Sequence, residues 1–341
     1  VIFQAVFRCT SRLYALKYEI SGTERQNVRV IFMNQSLYAV KEEMKKVIRG
    51  KDDILDSVLC TLLAGGHILL EDIPGVGKTT LAVALSRSLG MSYKRMQFTP
   101  DVLPSDILGF SMYDAKSGDF SFRKGAIFTN LFLADEINRT SPKTQSALLE
   151  VMEERRVSVD GTTYQLEPPF FVIATQNPVG ASGTQKLPDS QLDRFFVRLS
   201  LGYPDHQSAT EILKGHSMEQ IDTVNPILSL SDLLSLQQRT ADIFASDDIC
   251  DYIVSLTEAT RHTDMLSQGI SPRGSLAILK MAKARACYED RDFVTPGDIH
   301  KILYSVCNHR MILSTKAKAA GKDAADIVEE TLNTVPIPKL S

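Results

Sequence analysis

The stretch ILLEDIPGVGKTTLAVAL, Ile68 to Leu85, decides the fold. It opens on Ile68-Leu69-Leu70, an apolar run short and branched enough to be a buried strand. The loop Pro74-Gly75-Val76-Gly77 follows, then Lys78-Thr79-Thr80. Leu81, Ala82, Ala84, Leu85 and Leu89 continue at helical spacing. Strand, glycine loop, Lys-Thr and helix together make a phosphate-binding loop. Glycines serve there because successive N–H groups must converge on phosphate oxygens, a curvature that side chains obstruct. The helix N-terminus adds unpaired N–H groups and partial positive charge. Lys78 is expected at the β- and γ-phosphates of a nucleotide, and the Thr79 hydroxyl on Mg²⁺. Asp72 stands where the general pattern has a glycine.

Two further apolar runs end in polar residues of matching chemistry. Phe128 to Ala134 is nearly continuous and stops at Asp135-Glu136. Phe170 to Ala174 stops at Thr175-Gln176-Asn177. Transfer of a phosphoryl group needs positioning and charge neutralisation more than covalent chemistry. Asp135 is therefore expected to hold Mg²⁺, directly or through water, and Glu136 to polarise the attacking water. Ligands of parallel sheets bind at the carboxyl ends of the strands, so Asn177 is expected to orient that water.

Composition narrows the class. The chain has 341 residues, room for two or three domains at about 100–200 residues each. With 38 basic and 41 acidic residues the formal charge is −3, which supplies no overall attraction to nucleic acid or an anionic membrane. No apolar segment approaches the ~18 residues of a membrane span, and no signal peptide is expected. The five cysteines are scattered and form no Cys-x-x-Cys pair, as suits reduced thiols in a cytoplasmic protein. The six histidines do not cluster either.

Organisation follows from pattern and punctuation. Residues 1–33 are an N-terminal extension without sustained period, and Met33 is the expected working start, with Val1 a start codon read literally. Intact mass of the native protein tests this. Helices are expected over Gln35–Gly50 and Asp52–Ala64, and a strand over Tyr93–Phe98. Phe110 to Phe122 forms a hairpin about Lys116–Asp119. Pro142–Arg155 is a helix, and Asp160-Gly161 turns a second hairpin through a type I′ turn. The α/β part spans 34–203, closing at the breaker Gly202-Tyr203-Pro204-Asp205. A helical lid occupies 204–313 and a helical tail 314–341.

LLEDIPGVGKTTLA, LFLADEINR, VIATQNP, LPDSQLDRF and SPRGSLAIL occur in that order, and with them the chain resembles the AAA+ ATPases, specifically the MoxR family. The resemblance covers about Leu37 to Pro338 and accounts for Asp72, which that family carries. It implies a parallel-sheet core with an all-α lid, ATP and Mg²⁺ as cofactors, and nucleotide contacts from Asp72, Pro74, Gly75, Val76, Gly77, Lys78, Thr79 and Thr80. Thr79 and Asp135 would hold the metal. It implies that Arg194 is an arginine finger acting on the neighbouring subunit's γ-phosphate, and that Arg273 is a sensor reaching the nucleotide from the lid. Gly50 would lie near the adenine, although Lys51 departs from the family's usual Gly-Gln. The implied assembly is a homo-oligomeric ring, most simply a hexamer. Its implied work is chaperone-like remodelling of client proteins, often ones with a von Willebrand factor A domain.

Two rival readings share this framework: a nucleic-acid-dependent ring motor and a magnesium-chelatase-like ATPase subunit. The near-neutral charge and the hairpin tip Val159-Asp160-Gly161-Thr162, which lacks a basic residue, stand against the motor. The chelatase stays open at this point.

Overall fold

The computed structural model describes residues 36–116, 118–177, 187–214 and 219–339. The expectation about residues 1–33 lies outside them. Strand β1 (Ile68–Glu71) sits inside a sheet that also holds β2 (Tyr93–Gln97), β5 (Leu131–Asp135), β8 (Phe171–Gln176) and β9 (Val197–Leu199). The order is β2-β5-β8-β1-β9, and every pair is parallel. Burial on both faces explains why β1, β5 and β8 are runs of apolar residues rather than alternations.

Alternate side chains still serve different cores, because successive Cβ atoms point to opposite faces. Leu69, Phe132, Ala134, Val172 and Ala174 pack with Leu148, Leu149 and Met152 of the helix Pro142–Glu154. Ile68, Leu70, Leu131, Leu133, Phe171 and Ile173 join the other core with Leu81 and Leu85 of the helix Lys78–Ser88. That second core runs on without a break into the lid, through Leu233, Ile278 and Leu303, and reaches Ile327 and Val328 of the last helix, Ala324–Thr334. Packing is therefore continuous across residues 203/204 and 313/314.

Two hairpins leave the α/β part. β3 (Gly109–Asp114) pairs antiparallel with β4 (Asp119–Lys124), and β6 (Arg156–Val159) with β7 (Thr162–Gln165). Asp160 and Gly161 both have positive φ, 50° and 77°, as a type I′ turn requires. Phe122 of the first hairpin stacks on Tyr164 of the second, with ring centroids 4.0 Å apart and 12° between planes. A short helix, Pro104–Leu108, lies in the proline-rich stretch that the sequence reading left without an element. Pro104 occupies its first turn, and Asp106 accepts from the Leu103 N–H at 2.8 Å.

The lid carries the helices His206–Leu213, Leu230–Asp242, Asp247–Arg261, Pro272–Tyr288 and Pro296–Cys307. Ser229, Ser246 and Ser271 each accept a first-turn N–H, so the chain enters these helices through a side-chain cap. It also contains one short antiparallel ribbon, Leu266–Gln268 with Ile312–Leu313, that helical periodicity does not announce. Among the described residues no helix is long and apolar enough to cross a membrane.

Candidate active site

The phosphate loop emerges from the carboxyl end of β1. Gly75 and Gly77 have φ of 86° and 100°, conformations that side chains rarely adopt, and a Cβ on either would meet nothing within 4 Å. Pro74 and Gly75 are exposed, and Val76 is half-buried. Gly77 caps the helix Lys78–Ser88 without a side-chain acceptor, so no side chain fills the first-turn N–H groups at Lys78, Thr79 and Thr80. Lys78 is buried, and its Nζ donates to the backbone oxygens of Asp72 at 2.7 Å and Ile73 at 3.4 Å. Burial lowers its pKa, opposed by the carboxylates of Asp72, Asp135 and Glu136.

The two carboxylates at the end of β5 are both held. Asp135 Oδ1 accepts from Thr175 Oγ1 at 2.6 Å, and Oδ2 accepts from Arg95 Nη2 at 2.7 Å. Arg95 reaches it because β2 lies beside β5 with Gln97 opposite Asp135. Glu136 has left-handed backbone, φ 59°, and its N–H donates to the same Thr175 hydroxyl at 2.9 Å. Its Oε2 accepts from Arg139 Nη1 at 2.8 Å and its Oε1 from Asn177 Nδ2 at 3.0 Å. Arg139 holds the Glu136 carboxyl below the ordinary carboxylate range; burial opposes it, and Asn177 adds a smaller downward push.

Three buried polar atoms in this group lack a hydrogen-bond partner: Asn138 Oδ1, Arg139 Nε and Asn177 Oδ1. Asn138 also donates from Nδ2 to the Asn177 backbone oxygen at 3.1 Å, fixing the end of β8. Sequence reasoning named Asp135, Glu136 and Asn177 but missed Thr175, Arg95, Asn138 and Arg139. Three signals lay in the sequence: Thr175 is two residues before Asn177 on one strand, and Asn138 and Arg139 follow Glu136 closely. Arg95 gave none, because its contact depends on strand order. An open glycine loop, an available helix N-terminus, a lysine and unpartnered acceptors beside two carboxylates fit Mg²⁺ and the phosphates of ATP.

Arg194 and Arg273 lie at the other end of the sheet. Val197 is level with Ile68, so Arg194 precedes the level at which the parallel strands begin, whereas the phosphate loop follows their finish. Four residues of β1 at about 3.3 Å each separate the two levels. Arg194 Nη1 donates to the Leu149 backbone oxygen at 2.9 Å and approaches Glu153 Oε2 at 3.1 Å. Arg273 Nη2 donates to Glu153 Oε1 at 2.7 Å. Arg273 thus rests on Glu153, away from the phosphate loop of its own chain. Its helix is anchored elsewhere: the cap Ser271 donates to Asp193 Oδ2 at 2.8 Å, and the buried Arg310 donates to Asp193 Oδ1 at 2.7 Å.

Two more expected nucleotide contacts are engaged with the core–lid junction. The carboxylate of Asp72 accepts from Ser200, Leu201 and Gly202. Gly50 has φ 66°, and a Cβ there would lie 2.6 Å from Asp205 Oδ2. Lys51 beside it donates to the Tyr203 backbone oxygen at 2.9 Å. The structure thus brings Gly50 to the start of the lid.

Comparison with known proteins agrees with this geometry. Residues 67–197 match the model of the ATPase family associated with various cellular activities (AAA), and residues 258–331 match the AAA lid domain. The Bacillus subtilis protein YeaC is 48% identical over 298 residues, covering 87% of this chain and 93% of YeaC. Chaperone MoxR1 of Mycobacterium tuberculosis is 38% identical over 308 residues, covering 88% of this chain and 81% of that protein. A crystal structure from Cytophaga hutchinsonii superposes with a TM-score of 0.86 at 36% identity, over 93% of this chain and 99% of its own. Motifs, fold and relatives agree, and the chain belongs to the MoxR family of AAA+ ATPases.

Proposed function

We propose that this protein is a cytoplasmic, Mg²⁺-dependent ATPase that works as a homo-oligomeric ring, most simply a hexamer, and uses hydrolysis to remodel or activate partner proteins. The observation that carries the reading is the separation of Lys78, Glu136 and Asn177 from Arg194 and Arg273 at opposite ends of one sheet. On this reading a single chain holds the two halves of a phosphoryl-transfer site apart. A neighbour can bring them together.

The phosphate-loop N–H groups and Lys78 would hold the β- and γ-phosphates. Thr79 and Asp135 would hold Mg²⁺, which when bound supplies charge neutralisation on the phosphate oxygens. Glu136 takes the proton of the attacking water, and the Asn177 amide orients that water. Arg194 and Arg273 of the adjacent subunit neutralise the charge that develops on transfer, once they leave Glu153. The relative from Mycobacterium tuberculosis carries the name chaperone, which supports remodelling as the work done. Partners with a von Willebrand factor A domain are the client class we propose.

The test is affinity capture with Glu136→Gln, which should bind ATP without hydrolysing it, from native-host extract with ATP and Mg²⁺. Lys78→Ala serves as the control that binds no nucleotide. ATP-dependent enrichment of a protein with a von Willebrand factor A domain supports the reading. Enrichment of nuclease-sensitive nucleic acid, or of a metal-insertion enzyme, would replace remodelling with one of the rival activities.

A further inference from the structure

Asp72 departs from the general phosphate-loop pattern, and its surroundings give the reason. It is 5% exposed, yet every strong contact it makes is polar. Oδ1 accepts from Ser200 Oγ at 2.8 Å and from the Gly202 N–H at 3.0 Å. Oδ2 accepts from the Leu201 N–H at 2.6 Å. These are consecutive residues that leave β9 and lead into the first lid helix, His206–Leu213. The backbone oxygen of the same residue accepts from Lys78 Nζ at 2.7 Å. One residue therefore faces the phosphate loop with its carbonyl and the core–lid junction with its carboxylate.

The preceding residue makes a parallel connection. Glu71 pairs with Arg198 at 2.9 Å, and Arg198 donates to Asn308 in the lid at 3.1 Å and 2.9 Å. The glycine of the general pattern would keep the backbone contact with Lys78 but supply none of the carboxylate contacts. It would leave two backbone N–H groups of the junction without this acceptor.

We propose that Asp72 is a positioning residue that couples occupancy of the phosphate loop to the orientation of the lid. The inference rests on the nucleotide-binding reading above. In the structure Lys78 is spent on the Asp72 carbonyl. In this proposal a bound phosphate draws that ammonium away and releases a restraint on Asp72 and Ile73. The carboxylate transmits the change to residues 200–202, and through them to the lid that carries Arg273. Asp72 touches no reacting atom in this scheme. Its work is to make the arginine-bearing end of a subunit report the state of its own nucleotide.

Hydrogen–deuterium exchange on the full-length protein, with and without a slowly hydrolysed ATP analogue and Mg²⁺, tests this alongside steady-state kinetics. Asp72→Asn keeps the size but turns an amide N–H₂ toward a backbone donor. The expected result is analogue affinity and KM within about threefold of wild type and kcat lower by about tenfold. Nucleotide-induced protection should persist over residues 75–81 and vanish over 200–213. Ser200→Ala, which removes one donor and leaves the buried carboxylate otherwise satisfied, should shift the same readouts less. It carries the test if Asp72→Asn folds poorly.

Loss of analogue binding in Asp72→Asn, with folding and the 200–213 response intact, would overturn the proposal in favour of a direct cofactor contact. Wild-type kcat and wild-type coupling in either soluble variant would overturn it in favour of plain packing. Absence of any nucleotide protection over 75–81 in the wild type would instead remove the nucleotide-binding reading itself.

Discussion

The two ends of the parallel sheet carry opposite kinds of polar chemistry. At the carboxyl end, Asp135 and Glu136 are each neutralised by an arginine from their own chain, Arg95 and Arg139. At the other end the roles reverse, and a single carboxylate, Glu153, holds the two arginines Arg194 and Arg273. The carboxylates at one end suit a metal, and the cations at the other suit an anion. Each end satisfies itself with an internal counter-ion that a bound phosphate or metal would replace. The two pairs on Glu153 lie at the surface, and such pairs are worth only about 0–1 kcal/mol, so replacing them costs little.

The widest break in this picture would come from Arg194. Arg194→Ala is expected to lower kcat by about 10³-fold while nucleotide binding survives. Co-expression with Glu136→Gln should restore a measurable fraction of activity, because each inactive chain supplies the half that the other lacks. Continued inactivity of the mixed assembly would mean that one chain houses the whole site.

Arg273 sharpens the comparison further. Its contact with Glu153 predicts a loss of about 10–100-fold in Arg273→Ala, and recovery in the same mixture with Glu136→Gln. Recovery for Arg194→Ala without recovery for Arg273→Ala would return Arg273 to the nucleotide of its own subunit.

The smallest expected effect belongs to the carboxyl end. Arg139 depresses the pKa of Glu136, so the base stays ionised to lower pH than an unpaired carboxylate would. Arg139→Ala removes that depression and should move the acid limb of the kcat profile to higher pH, with Arg139→Lys close to wild type. At neutral pH the change in kcat should stay within about threefold. An unmoved acid limb would show that Glu136 is not the group titrating in kcat.

Much of this architecture was legible because each motif sits at the carboxyl end of an apolar run. Ile68–Leu70, Leu131–Ala134 and Phe171–Ala174 could each be recognised alone, and Lys78, Asp135 and Asn177 follow directly from them. Strand order could not be read this way, so the meeting of Arg95 with Asp135 across β2 and β5 stayed hidden. The partners of Asp72 and Arg273 stayed hidden for a related reason. A motif fixes where a backbone goes, whereas the direction of a long or charged side chain depends on what the tertiary fold brings near. The helix Pro104–Leu108 was overlooked because proline marks both helix starts and breaks, and only the Asp106 contact separates the two.

The helix Pro142–Glu154 begins within a few residues of Glu136 and ends on the carboxylate that holds both arginines. Thirteen residues make a rod about 20 Å long. Its first turn is clamped, with Ser141 accepting from the Thr144 N–H and Gln145 donating to the Ile137 and Thr140 oxygens. In the proposed ring, this rod would link a displacement at Glu136 to the end that holds Arg194 and Arg273. Arranged head to tail in the proposed ring, such rods would make a closed linkage, and that would give the ring its order of firing without a separate signalling part.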